Sequence, residues 1–152
     1  MNSKRISLLL ILILVVGIFF WVKTPSGPYL KIAGQKVKVE LALTPEAQER
    51  GLSGREHLAQ NTGMLFVFPD LRRHDFWMKD MKFAIDMIWL VPSTVEGSTE
   101  NFNIIYIEKN ATPESFPQTF GPVADSKYVL EVRAGFADQN NLKIGDRAEL
   151  VY

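Results

Sequence analysis

The chain has 152 residues, with 17 basic and 17 acidic side chains and a formal net charge of zero. That balance excludes the basic footprint of a nucleic-acid binder. There is no cysteine, which excludes thiol catalysis, zinc–thiolate centres, a disulfide framework and lipid attachment through an N-terminal cysteine.

Lys4 and Arg5 precede seventeen uncharged residues, Ile6 to Val22 (ISLLLILILVVGIFFWV). As a helix rising about 1.5 Å per residue, the run covers roughly 25 Å, close to the hydrocarbon thickness of a bilayer. Trp21 and Lys23 stand where an interfacial aromatic and a snorkelling cation belong. The basic pair on the short N-terminal side predicts a single-pass anchor, with the C-terminal part extracytoplasmic. Thr24-Pro25-Ser26-Gly27 is a poor cleavage site, so a retained anchor is favoured over a cleaved signal and secretion. Residues 1–28 are thus read as anchor and linker, with the lipid bilayer as partner of residues 6–22. Residues 29–152 are read as one exported domain. Without Lys4 and Arg5 the balance is 15 basic to 17 acidic residues, or −2.

Tyr29–Ala33 and Lys36–Leu43 flank Gly34-Gln35. In the second segment Val37, Val39, Leu41 and Leu43 alternate with Lys36, Lys38 and Glu40, which predicts a hairpin. Thr44-Pro45-Glu46 is a helix start: a hydroxyl N-cap, proline at the first position and an acid in the first turn. Gly51 and Gly54 keep that helix short. Met64–Phe68 is an apolar run closed by Pro69. Phe76–Met78 and Ile85–Val91 are aromatic and branched, hence strands. Pro92–Asn101 is a polar loop and Asn103–Glu108 a further strand. Ala111–Ser126, with three prolines, is an irregular connection. Tyr128–Arg133 alternates again, Ala137–Leu142 suits a helical turn, and Arg147–Tyr152 is the last strand. The sum is a mainly β fold: a compact β-sandwich or barrel-like domain with one or two short helices behind an N-terminal transmembrane helix.

Two carboxylates sit in apolar strings. Asp86 lies within Ala84–Trp89, and Glu131 between Leu130 and Val132. Buried carboxylates need partners. One reading pairs each with an arginine (Arg50, Arg55 or Arg133) or with backbone N–H groups, arginine being the best candidate for Asp86. The other sets Asp86 and Glu131 across a cleft as candidate catalytic residues, one raised in pKa as a general acid. Arg55, Trp77 and Lys79 form the candidate ligand-binding set: a planar fork, a stacking face and a mobile charge. Such a set suits a small acidic or saccharide-like ligand. Met78-Lys79-Asp80-Met81 puts no two sulfurs on one strand face, so neither a metal nor another cofactor is expected.

The chain closely resembles the DUF192 family in GLSGRE (Gly51–Glu56), GMLFVF (Gly63–Phe68), FWMKDM (Phe76–Met81), AIDMIWL (Ala84–Leu90), VLEVRAGFAD (Val129–Asp138) and KIGDRAEL (Lys143–Leu150). The resemblance covers nearly all of residues 29–152 and leaves out the anchor. It implies a compact, mainly β domain, exported in many members, with no established reaction. Where such domains usually read FWMKNT, this chain has Asp80-Met81 in place of Asn-Thr. The functional expectation is a membrane-anchored, extracytoplasmic, non-catalytic module that binds a small ligand or an envelope protein. The alternatives are an envelope enzyme acting on a saccharide or peptide through Asp86 and Glu131, and an assembly factor pairing through an edge strand.

Overall fold

The structure, a computed structural model, describes residues 27–93 and 101–152. The strands are β1 (Tyr29–Ile32), β2 (Gln35–Ala42), β3 (Thr62–Arg72), β4 (Phe76–Trp77), β5 (Ile85–Pro92), β6 (Asn101–Ala111), β7 (Thr119–Phe120), β8 (Ser126–Arg133) and β9 (Arg147–Val151). Two helices, α1 (Pro45–Arg50) and α2 (Phe136–Gln139), and a 3₁₀ turn (Pro113–Ser115) complete the set. The predicted transmembrane helix lies outside the described residues. Among those residues no helix is long and apolar enough to cross a membrane.

Seven strands close into a barrel in the order β1-β2-β3-β8-β5-β6-β9, with β9 returning to β1. Closure removes free edges. The β2–β3 pair is parallel, because α1 and the loop after it carry the chain back before β3 begins; the other barrel pairs are antiparallel. The β1–β2 hairpin turns through Ala33 and Gly34, whose φ values of 49° and 75° are those of a type I′ turn.

Alternation in the strands sorts the core into two layers. Leu30, Val37, Leu65, Ile88, Ile104 and Leu130 belong to one buried cluster that fills the barrel, and Phe136 and Ala137 of α2 pack against it. Residues one step along face outward. Met64, Phe66 and Phe68 of β3, Met87 and Trp89 of β5, and Val129 of β8 form a second cluster. Leu52, Leu58, Met78 and Met81 cover it from the loops, and Phe120 from β7. Apart from Asp86, β5 reads as apolar sequence because both faces of Ile85–Leu90 are buried.

Several boundaries differ from the sequence reading. β3 continues through Pro69 to Arg72, with a register shift between Val67 and Arg72 that accommodates a residue without an N–H. β6 runs from Asn101 to Ala111, longer at both ends than predicted, and Pro92 pairs with Phe102. Residues 94–100 of the predicted loop lie outside the described residues. The proline-rich connection contains β7, which pairs with β4 as a separate two-stranded ribbon. α2 starts at Phe136, one residue before the predicted turn, after Gly135 in the left-handed region.

Candidate functional site

Asp86 and Glu131 occupy neighbouring strands one register step apart: Asp86 lies opposite Val132, and Met87 opposite Glu131. Adjacent residues on a strand point to opposite faces. Asp86 therefore shares the face of Val132 in the barrel cluster, and Glu131 shares the face of Met87 in the outer one. The two carboxylates do not converge on one cleft.

Asp86 is fully buried at 0 % exposure. Its Oδ1 accepts from the Asn110 N–H at 2.8 Å and the Gly135 N–H at 3.3 Å, and its Oδ2 accepts from the Ala137 N–H at 2.8 Å. The expected arginine partner is replaced by three backbone donors. Asn110 is near the end of β6, and Gly135 and Ala137 bracket the start of α2. The carboxylate ties a strand end and a helix start to β5, which is a structural task.

Glu131 is different. It is 4 % exposed, and its Oε2 is buried with no hydrogen-bond partner. Burial pushes its pKa up to about 8, opposed by the positive charge of Arg55. Among the described residues three buried side-chain polar atoms lack a partner: His74 Nε2, Ser126 Oγ and Glu131 Oε2. Glu131 and His74 line the same cavity, of about 290 Å³.

α1 supplies one side of this cavity. Thr44 caps it, its hydroxyl accepting from the Ala47 N–H at 3.3 Å, and the Gly51 N–H closes the helix on the Ala47 carbonyl at 2.9 Å. Gly51 holds φ 51° and ψ −132°. A Cβ there would lie 3.2 Å from Phe66 Cζ and 3.7 Å from Glu131 Oε2. Glycine thus allows the helix to end directly over the carboxyl. The strap from Arg72 to Trp77 forms the opposite side. The Trp89 Nε1–H donates to the His74 carbonyl at 2.9 Å, which pins the strap to β5. Phe68 stacks on the His74 ring at 3.5 Å between centroids and 14° between planes. Phe76 meets Phe66 and Trp89 edge-on, at 4.8 and 5.7 Å. His74 is 6 % exposed. Burial lowers its pKa, the Asp70 main chain acts the other way, and the imidazole is neutral near pH 7.

The proposed Arg55–Trp77–Lys79 set comes together only in part. Trp77 is 46 % exposed at the cavity mouth, and Lys79 Nζ lies 5.9 Å from its ring centroid. Arg55 instead forms a fork with Glu40, with both N–O distances 2.7 Å. The charge at the mouth comes from Arg50, which lines the Glu131 cavity and also an adjoining one of about 300 Å³ that contains Trp77 and Lys79. Neither Arg50 nor Arg72 forms an ion pair among the described residues. The described residues contain no cluster of three or more His, Asp or Glu side chains that could hold a metal.

From sequence alone His74 invites a proton relay with Asp75, which is set aside because neighbours on a strand point apart; its place in the Glu131 cavity is not foreseen. The one available signal was alternation: adjacent residues point apart, and His74 is indeed buried while Asp75 is exposed.

The family model for DUF192, described as an uncharacterized ACR, matches residues 29–150. The chain belongs to the DUF192 family. A crystal structure from Sinorhizobium meliloti 1021, of a protein provisionally described as a transcription regulator, is 31% identical with a TM-score of 0.69. It covers 80% of this chain and 90% of its own. A protein of unknown function from Novosphingobium aromaticivorans DSM 12444 is 23% identical with a TM-score of 0.69, over 82% of this chain and 84% of its own, and is similar in fold. No curated protein matches. The family match spans the barrel, both helices and the Glu131 cavity.

Proposed function

We propose that this DUF192 domain is a small-molecule-binding module, carried outside the cytoplasmic membrane by the N-terminal segment, with the Glu131 cavity as its site. The observation that carries the reading is Glu131 Oε2: a buried oxygen with no partner, facing an aromatic-walled cavity. An unpartnered buried polar atom costs about 1–3 kcal/mol. Folding alone offers no return for that cost, whereas a ligand that fills the cavity does. At about 290 Å³, the cavity sits at the small end of the ~300–1,000 Å³ range of ligand pockets, so the occupant is small. Trp77 at the mouth supports stacking, and Arg50 supports an anionic group on the exposed end of the ligand.

A second reading makes the site catalytic, with Glu131 as general acid. His74 favours it, because a neutral imidazole and a carboxyl of raised pKa facing one cavity suit proton transfer. Asp86, fully engaged by backbone donors, takes no part. Pairing through an edge strand is confined to the β4–β7 ribbon, since the barrel strands are closed on one another.

The test is a small-molecule thermal-shift screen on residues 27–152, run with wild type, Glu131→Gln and Trp77→Ala. Binders that raise the wild-type Tm and lose their effect in both variants support the reading. Binders insensitive to both place the site elsewhere. Protease digestion of the domain in intact spheroplasts tests the location; full protection contradicts it.

A further inference from the structure

We propose that the cavity is an ammonium site, in which the Glu131 carboxylate receives the charged amine of a small organic ligand whose apolar body packs against Phe66, Phe68 and Phe76. The proposal rests on the binding reading above and names the ligand class.

The unpartnered atoms carry the argument. Glu131 Oε2 and His74 Nε2 are buried, lack partners and line one cavity. An ionised carboxylate is an acceptor only, and a neutral imidazole keeps one bare acceptor nitrogen. Once Glu131 ionises, the cavity presents two acceptors without donors, and an ammonium offers three donors to match them. The walls agree with this. Phe76 meets Phe66 and Phe68 edge-on, at 4.8 and 6.3 Å. Aromatic rings and a carboxylate lining one cavity can both attract a cation.

The other charges near Glu131 permit this occupant. From α1, Glu49 and Arg50 line the cavity; from the strap, Arg72, Arg73 and Asp75 do so beside neutral His74. Arg73 is held by Asp75 at 3.0 Å, and Arg55, which acts on Glu131 from outside the lining, is held by Glu40. Among the described residues Arg50 and Arg72 form no ion pair. They suit a ligand that carries an anionic group as well as its ammonium, as a zwitterion does.

Binding then moves one proton. Near pH 7 the empty site holds Glu131 as the neutral acid, consistent with its pKa of about 8. The carboxyl O–H breaks, the proton leaves to solvent, and the carboxylate pairs with the ammonium, which keeps its own three protons. Affinity should rise about tenfold per pH unit up to about pH 8 and level off above it.

The experiment is calorimetric titration of the full chain with benzylamine, phenethylamine and hexylamine, in buffers of different ionisation enthalpy at pH 6, 7 and 8.5. The matching alcohols serve as neutral isosteres. The expected result is amine binding with about one proton released at pH 6 and few at pH 8.5, no alcohol binding, and at least tenfold weaker amine binding in Glu131→Gln. Circular dichroism reports the fold of that variant, and the wild-type proton count stands without it. Alcohols binding as well as amines, or amines binding without proton release, overturns the ammonium site and leaves the pocket reading intact. Binding of neither class overturns the ammonium site, and a blank thermal-shift screen besides would remove the pocket reading as well.

Discussion

The indole N–H of Trp89 donates to the main-chain carbonyl of His74 at 2.9 Å. One buried residue of a barrel strand thus sets the height of the strap that closes the Glu131 cavity. Trp89 is fully buried, in edge contact with Phe76 and with Tyr106 at 5.3 Å. Trp89→Phe keeps an aromatic ring but leaves the His74 carbonyl unsatisfied. We expect a loss of about 1–3 kcal/mol in urea denaturation, together with weaker binding at the cavity. Unchanged stability would mean that the strap is held by other contacts.

Asp86 is an internal fastener. Asp86→Ala would leave the N–H groups of Asn110, Gly135 and Ala137 without their acceptor. At about 1–3 kcal/mol for each buried unsatisfied group, the expected destabilisation is at least about 3 kcal/mol, read from denaturant midpoints. A variant with wild-type stability and lost binding would restore a direct role for Asp86 in the site.

Gly51 is the hinge between helix and cavity. A Cβ at φ 51° is strained and would press on Phe66 at 3.2 Å. Gly51→Ala should cost about 1–3 kcal/mol, and its methyl group would stand over Glu131. The check pairs thermal denaturation with ligand titration: both should worsen. Weaker stability with intact binding would show that this edge of the cavity is not used.

The pH dependence of stability has two parts of opposite sign. The folded-state pKa of Glu131, about 8, lies above its ordinary value of 4.5. Between these values the native state holds a proton that the unfolded chain has lost. Stability therefore falls as pH rises through this window, by up to about 1.4 kcal/mol per unit. His74 is shifted below its ordinary 6.5, so its contribution is lost as pH falls below that value. Denaturation of Glu131→Gln from pH 5 to 9 should show the decline between about pH 5 and 8 removed and the His74 loss below about 6.5 uncovered. A decline in that window equal to that of wild type would assign it to another group.

The sequence made the barrel legible and the site only half so. Alternation in Val37, Val39 and Leu41 and in Tyr128, Leu130 and Val132 marks strands because one face of each is buried. Asp86 and Glu131 stand out because carboxylates are rare in apolar strings. Whether they face each other depends on register between β5 and β8, which pattern alone leaves open. Arg55 reads in sequence as a partner for Asp86 or Glu131, but its fork is with Glu40 on β2, brought near by a parallel pairing unseen in local sequence. His74 gained its role from tertiary contacts: the Phe68 stack and the Trp89 bond.

The central claim is that Glu131 waits in its cavity as a neutral acid without a protein partner. The most direct measurement is a ¹³C NMR titration of the glutamate side-chain carboxyls in residues 27–152, with the Glu131 signal assigned by its loss in Glu131→Gln. This carbon should titrate near pH 8, and an added amine ligand should drive it to the ionised shift at pH 7. A midpoint near the ordinary 4.5 would mean that the carboxylate is already satisfied by solvent or a neighbouring cation, and would contradict the account.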